Sequence, residues 1–137
     1  NGKIVYRAVT VVLSGHKPYG LIENEKARLA FIDEDLRRVM PRDSAMNNVY
    51  SMASCKYSKF IRWEGKGMMP HAEKEKLCAF VAVAHRLGEK VRLWASPEKK
   101  VVWDELLNCG VDLINTDRLP TLKKYLSSRT VTLAAAN

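Results

Sequence analysis

The sequence predicts an α/β protein in which parallel strands alternate with helices. Residues 90–117, KVRLWASPEKKVVWDELLNCGVDLINTD, hold a strand, an amphipathic helix and a second strand. Two strands joined by a crossover helix form a βαβ unit, which is parallel and right-handed. The design helix, glycine, strand, polar turn occurs twice, at 73–96 and 101–120. That repetition is the rhythm of a (β/α) barrel or of an open doubly wound sheet.

Each element has a local cause. Asn1 to Tyr6 is a lead-in, and Ala8 to Leu13 (AVTVVL) reads as a strand buried on both faces. Ser14-Gly15 ends it, and His16 to Gly20 forms a loop. After a polar segment, Leu29 to Ile32 reads as a strand that stops at Asp33-Glu34-Asp35, although Leu36 to Val39 could extend a helix. Residues 41–48 (PRDSAMNN) are turn-rich. Val49 to Ser54 is a weaker strand and Lys56 to Phe60 a helical turn, while Ile61 to Met69, with Trp63, Gly65 and Gly67, reads as a mobile surface loop. Pro70 opens a helix whose Leu77, Phe80, Val81, Ala84 and Leu87 share one face, and Gly88 caps it.

In Lys90 to Ala95, Val91, Leu93 and Ala95 alternate with Arg92 and Trp94. Ser96-Pro97 stops that strand and starts the next helix, because proline cannot donate to a ladder but suits a first helical turn. Val102, Trp103, Leu106 and Cys109 form its apolar face, and Gly110 stands at the C-cap. Val111 to Ile114 is the following strand. Leu119-Pro120 opens a last helix with Leu122, Tyr125 and Leu126 inward. The division expected is a partial barrel over 1–126 and a peripheral tail over 127–137, with a short β-prone piece, TVTL.

At 137 residues the chain suits one domain. No apolar run approaches the ~20 residues of a membrane span. The start, without Met or a signal-peptide pattern, reads as a fragment boundary. The net charge of +8 comes from basic residues spread along the chain, so a solvated surface competes with an attraction for phosphate groups, and no nucleic-acid partner is expected. Cys55, Cys78 and Cys109 lack CxxC spacing, which argues against metal binding; Cys78 and Cys109 read as buried free thiols beside apolar helix faces. A dinucleotide fold is disfavoured, since no GxGxxG follows the first strand.

Parallel α/β sheets bind ligands at the carboxyl ends of their strands. Those ends carry Trp94 and Ser96, then Asn115, Thr116 and Asp117, with the loop from His16 to Gly20 at another. Ser14 and Lys17 are candidates to meet phosphate, the lysine as a point charge or simply as a solvated loop residue.

Several segments carry a resemblance when taken together: AVTVVLSG at 8–15, LAFID at 29–33, RWEGKGMMP at 62–70, VRLWA at 91–95 and GVDLINTD at 110–117. They resemble the glycerophosphodiester phosphodiesterase family, in its bacterial phosphatidylinositol-specific phospholipase C-like branch. The resemblance implies the carboxyl-terminal portion of a TIM-type barrel and metal-assisted hydrolysis of a phosphodiester small molecule or lipid headgroup. The family's catalytic histidines and metal-binding acids have no match here. His16, His71 and His85 read as surface residues, and Ser54-Cys55-Lys56-Tyr57 departs from the branch's acidic pattern.

The implied substrate-binding residues are therefore Ser14, Lys17, Trp63, Trp94, Asn115 and Asp117, with no catalytic or metal-binding residue in the chain. Trp94 would wall the pocket or serve as a core tryptophan. Trp63 would cover its mouth or anchor packing. Asp117 and Asn115 would bind headgroup hydroxyls or a histidine, with helix capping the other role open to Asp117. A divalent metal, Ca or Mg, is implied for the intact enzyme, and export to the periplasm or cell surface for its location. The alternative function is a non-catalytic half-barrel that binds phosphate-bearing ligands or dimerises through its exposed edges.

Overall fold

A computed structural model of the protein describes residues 8–41 and 49–135, with side chains through Arg129. The expected lead-in, and all but the first residue of the turn-rich segment 41–48, lie outside the described residues. The elements are β1 (Val11–Leu13), α1 (Tyr19–Asn24), β2 (Ala30–Asp35), β3 (Tyr50–Lys56), α2 (Tyr57–Phe60), α3 (His71–Arg86), β4 (Lys90–Trp94), α4 (Lys100–Asn108), β5 (Leu113–Ile114) and α5 (Leu119–Ala135). A 3-10 turn, Leu36–Arg38, follows β2.

Among the described residues five strands, all parallel, lie in the order β1-β2-β3-β4-β5. Spatial order equals chain order, so the sheet has no reversal of the kind a doubly wound fold uses as its ligand crevice. The protein is thus an α/β fold with a partial, sequentially wound parallel sheet.

The two faces of the sheet differ, because side chains alternate along a strand and paired residues in parallel neighbours point the same way. Ala53 and Cys55 of β3 and Val91 and Leu93 of β4 face the helices, all within 5% exposure. They pack with Leu77, Val81 and Ala84 of α3 and with Val102 and Leu106 of α4. Gly88 and Gly110 sit at φ +77° and +89°, the left-handed conformation expected of glycine C-caps, and release the chain straight into β4 and β5. The opposite face carries Ser54, Lys56, Arg92 and Trp94, with Ser54 opposite Arg92 and Lys56 opposite Trp94.

Several expectations give way. The first strand is not buried on both faces: only Val11 to Leu13 pairs, on one side, and Val11 is 49% exposed. It is an edge strand, where β-branched residues satisfy strand geometry without full burial. Tyr19 and Gly20, expected in a loop, begin α1, which closes a small cluster of Ile22, Ile32 and Val49. The second strand runs on through Asp33 to Asp35 instead of stopping, because β3 pairs with all three. A β-bulge between Ile32 and Asp33 resets its register.

The loop 61–69 is a pinned segment. Glu73 accepts from the backbone N–H groups of Arg62 and Trp63 at 3.1 and 3.0 Å, and Lys99 donates to the Glu64 carbonyl at 2.7 Å. Gly65 lies so close to α4 that a Cβ would meet Val102 at 2.9 Å. Cys78 and Cys109 are joined as a disulfide between α3 and the end of α4, their Cα atoms 4.6 Å apart. Both were expected as thiols, since pairing across 31 residues is set by helix packing and leaves no local signal. The TVTL segment at 130–133 continues α5, since extending a helix is cheaper than nucleating a strand without a partner. Leu126, expected inward, is 37% exposed, whereas Leu122 and Tyr125 pack on Trp103.

Candidate functional site

The polar face of the sheet and the loops at the carboxyl ends of the strands enclose a cleft of about 570 Å³. β1 delivers Ser14 and Lys17, and β2 delivers Asp33, Glu34 and Asp35. β3 and α2 add Ser54, Lys56 and Lys59; β4 adds Arg92 and Trp94, and the turn after β5 adds Asn115 and Asp117. Every strand contributes, because parallel strands end at one rim.

At its centre Arg92 donates to the side-chain oxygen of Asn115 at 2.6 Å. Asp33 lies beside them, 6% exposed. Its Oδ2 accepts from the Ser54 hydroxyl at 2.6 Å, while the Lys17 ammonium donates to its backbone carbonyl. Asp33 Oδ1 is buried and has no hydrogen-bond partner. Burial pushes the Asp33 carboxyl above the ordinary range, against the opposing pull of the Ser54 hydrogen bond and the Lys17 and Arg92 charges. Asp35 behaves oppositely: Arg37 grips it through two side-chain bonds at 2.9 and 2.6 Å, which hold its carboxyl below the usual value.

The end of β4 presents Trp94, 40% exposed, to the cleft. Ala95, expected to continue the strand, instead takes φ +53°, a left-handed conformation that costs a residue with a Cβ about 1–2 kcal/mol. Beneath the turn after β5, Glu98 accepts from the Thr116 hydroxyl at 2.5 Å and the Asp117 N–H at 2.6 Å, which fixes that rim. Those bonds draw the Glu98 carboxyl below its usual range.

Five of the six candidate residues, Ser14, Lys17, Trp94, Asn115 and Asp117, thus stand around one cleft. Trp63 does not. It is 9% exposed within the helix-side core, and its indole N–H donates to the Lys66 carbonyl at 3.0 Å, so it neither covers the cleft nor lines it. Asn115 holds Arg92 rather than a histidine. Asp33, Ser54 and Arg92 escaped the sequence reading. A signal for Arg92 existed, since it shares a strand face with Trp94 at a spacing of two. Two histidines lie elsewhere: His71 meets Glu75 on an exposed helix face, and His85 meets Asp112 at 2.9 Å.

Among the described residues no group of three or more His, Cys, Asp and Glu side chains converges as a metal site. Two carboxylates of the cleft are also committed or crowded by cations, Asp35 by Arg37 and Asp33 by Lys17 and Arg92. Asp33 and Asp35 are thus poorly placed to hold a divalent metal together. Cys55 is a free thiol that faces the helix-side core, and burial pushes it up to about 11, which leaves it unreactive at neutral pH.

Comparison with known proteins corrects the resemblance. The chain is 30% identical over 139 aligned residues to the protein named Altered inheritance of mitochondria protein 6 from Eremothecium gossypii. The alignment takes in 90% of this chain but 36% of that protein, so the chain spans about a third of its relative's length. No protein-family model matches the chain, and no solved structure does. Membership of the bacterial phosphodiesterase branch is therefore set aside, because this relative is fungal and is not named as a phosphodiesterase. The hydrolase and lipid-metabolism assignments go with it. So does export to a periplasm or cell surface, since the relative is named for mitochondria. Among the described residues no helix is long and apolar enough to cross a membrane.

Proposed function

We propose that this chain is a non-catalytic half-barrel that binds a phosphate-bearing small molecule, forming one wall of a longer TIM-type (β/α) barrel protein. The observation that carries the reading is Arg92, held by Asn115 at the floor of a cleft whose rim also presents Lys17, Lys56 and Lys59. A guanidinium pre-oriented by a side-chain hydrogen bond loses little freedom when it grips an oxyanion, and guanidinium–phosphate bonds are among the stronger charge-assisted ones. The cleft also lies where parallel sheets place ligands.

The sequential strand order supports the barrel, because each βα unit advances in one direction. Its open edges, β1 and β5, call for further strands. Those strands are better supplied by the same polypeptide than by a second copy, given the greater length of the relative and a net charge of +8 on each chain. The test is a titration with inorganic phosphate and with chloride at matched ionic strength. Saturable binding of phosphate that Arg92→Met weakens roughly tenfold or more supports the reading. Equal, unsaturable responses to both anions would sink it.

A further inference from the structure

One atom is unexplained by a simple anion site: Asp33 Oδ1, buried and without a hydrogen-bond partner, on a residue that lines the cleft with Lys17 and Arg92. A buried carboxylate oxygen without a donor costs free energy, so it persists where a ligand or a proton completes it. A bound oxyanion beside an ionised carboxylate would meet like-charge repulsion at close range. Protonation removes the repulsion and also creates a donor, since a carboxylic acid has one O–H.

We propose that Asp33 is a proton-holding subsite of this cleft, where a tetrahedral oxyanion such as phosphate binds together with one proton taken from solvent. The proton resides on Oδ1, which donates to a ligand oxygen, while Oδ2 keeps the Ser54 hydroxyl as its donor. No other bond forms or breaks. The surroundings set the balance. Lys17 from the loop after β1 and Arg92 from β4 favour the ionised form, whereas burial favours the neutral one. Lys56 and Lys59 from β3 and α2 also border the cleft, as do Glu34 and Asp35 from the same strand and Asp117 after β5. An anion bound to Arg92 and Lys17 offsets the very charges that hold Asp33 ionised, so anion and proton favour each other's binding, reciprocally.

The inference rests on the phosphate-binding reading, and one experiment separates the two. Calorimetric titration with inorganic phosphate at about pH 7, in two buffers of different ionisation heat, counts protons taken up per phosphate. The ligand's own titration is common to wild type and Asp33→Asn, so their difference isolates this carboxyl. Wild type is expected to take up more, by as much as about one proton per phosphate. Asp33→Asn is expected to bind roughly tenfold more tightly than wild type at about pH 8, with the margin shrinking as pH falls. Equal proton counts in both proteins overturn the proton-holding role while leaving anion binding intact. The absence of phosphate binding in both overturns the reading beneath it. Ser54→Ala serves if the first variant does not fold. It removes a bond that favours ionisation, so proton uptake should persist to higher pH, and an unshifted profile overturns the proposal.

Discussion

Arg92 lies within β4 and Asn115 directly follows β5, and the 2.6 Å bond between the guanidinium and the amide oxygen ties β4 to the turn after β5. Asn115→Ala should leave the fold intact and let the guanidinium wander. The expected loss of phosphate affinity is roughly threefold to tenfold, the scale of one net hydrogen bond. Arg92→Lys should lose at least as much, because an ammonium cannot keep the planar fork. Calorimetry on both variants checks this, and unchanged affinity in Asn115→Ala would show that the bond positions nothing.

The tryptophans divide by face. Trp63 and Trp103 are within 9% exposure, whereas Trp94 is 40% exposed at the cleft. Trp63→Ala should cost about 3–5 kcal/mol of stability, as expected of an emptied aromatic site. Trp94→Ala should stay within about 1 kcal/mol and instead change ligand binding. Urea unfolding measures the first difference. In fluorescence, the ligand-dependent change should vanish in Trp94→Phe and survive in Trp63→Phe.

The Cys78–Cys109 bond closes a 31-residue separation between α3 and the end of α4. In the chain-entropy account a loop of that size contributes about 3–4 kcal/mol. Reductant should therefore lower the unfolding midpoint of the wild type and leave a Cys78→Ser, Cys109→Ser double variant unaffected. Cys55, pushed up to about 11 by burial, should resist alkylation at about pH 8 until the protein is unfolded, which mass spectrometry resolves.

Asp33 and Asp35 give opposite pH dependences. Burial raises the folded Asp33 value above the ordinary 3.8, so the folded state holds that proton more tightly than the unfolded chain does. Its contribution to stability is therefore fully present below 3.8 and lost as pH rises through the folded value. Asp35, lowered by Arg37, contributes stability above 3.8 that is lost as pH falls through its folded value. Asp33→Asn should be more stable than wild type at neutral pH, and Asp35→Asn less stable. Urea midpoints at about pH 3 to 8 should show the first difference shrinking in acid as wild-type Asp33 takes up its proton. Equal midpoints across that range would refute the assignment.

The sequence by itself determined the elements whose causes are local. The helix faces of α3 and α4, the glycine caps at Gly88 and Gly110, and the alternation in β4 are set by neighbours within a few residues. That is why the βαβ unit at 90–117 and the rim position of Trp94, Asn115 and Asp117 were legible. Tertiary structure alone decided what depends on partners distant in the chain. It placed β1 at an edge, carried β2 through three acids by pairing them with β3, and buried Trp63 under contacts from Glu73 and the helices. It also brought Cys78 to Cys109, and gathered Asp33, Ser54 and Arg92 at one floor. A side chain's charge is written in the chain, but whether water, a cation or nothing faces it is settled only when distant strands come to lie side by side.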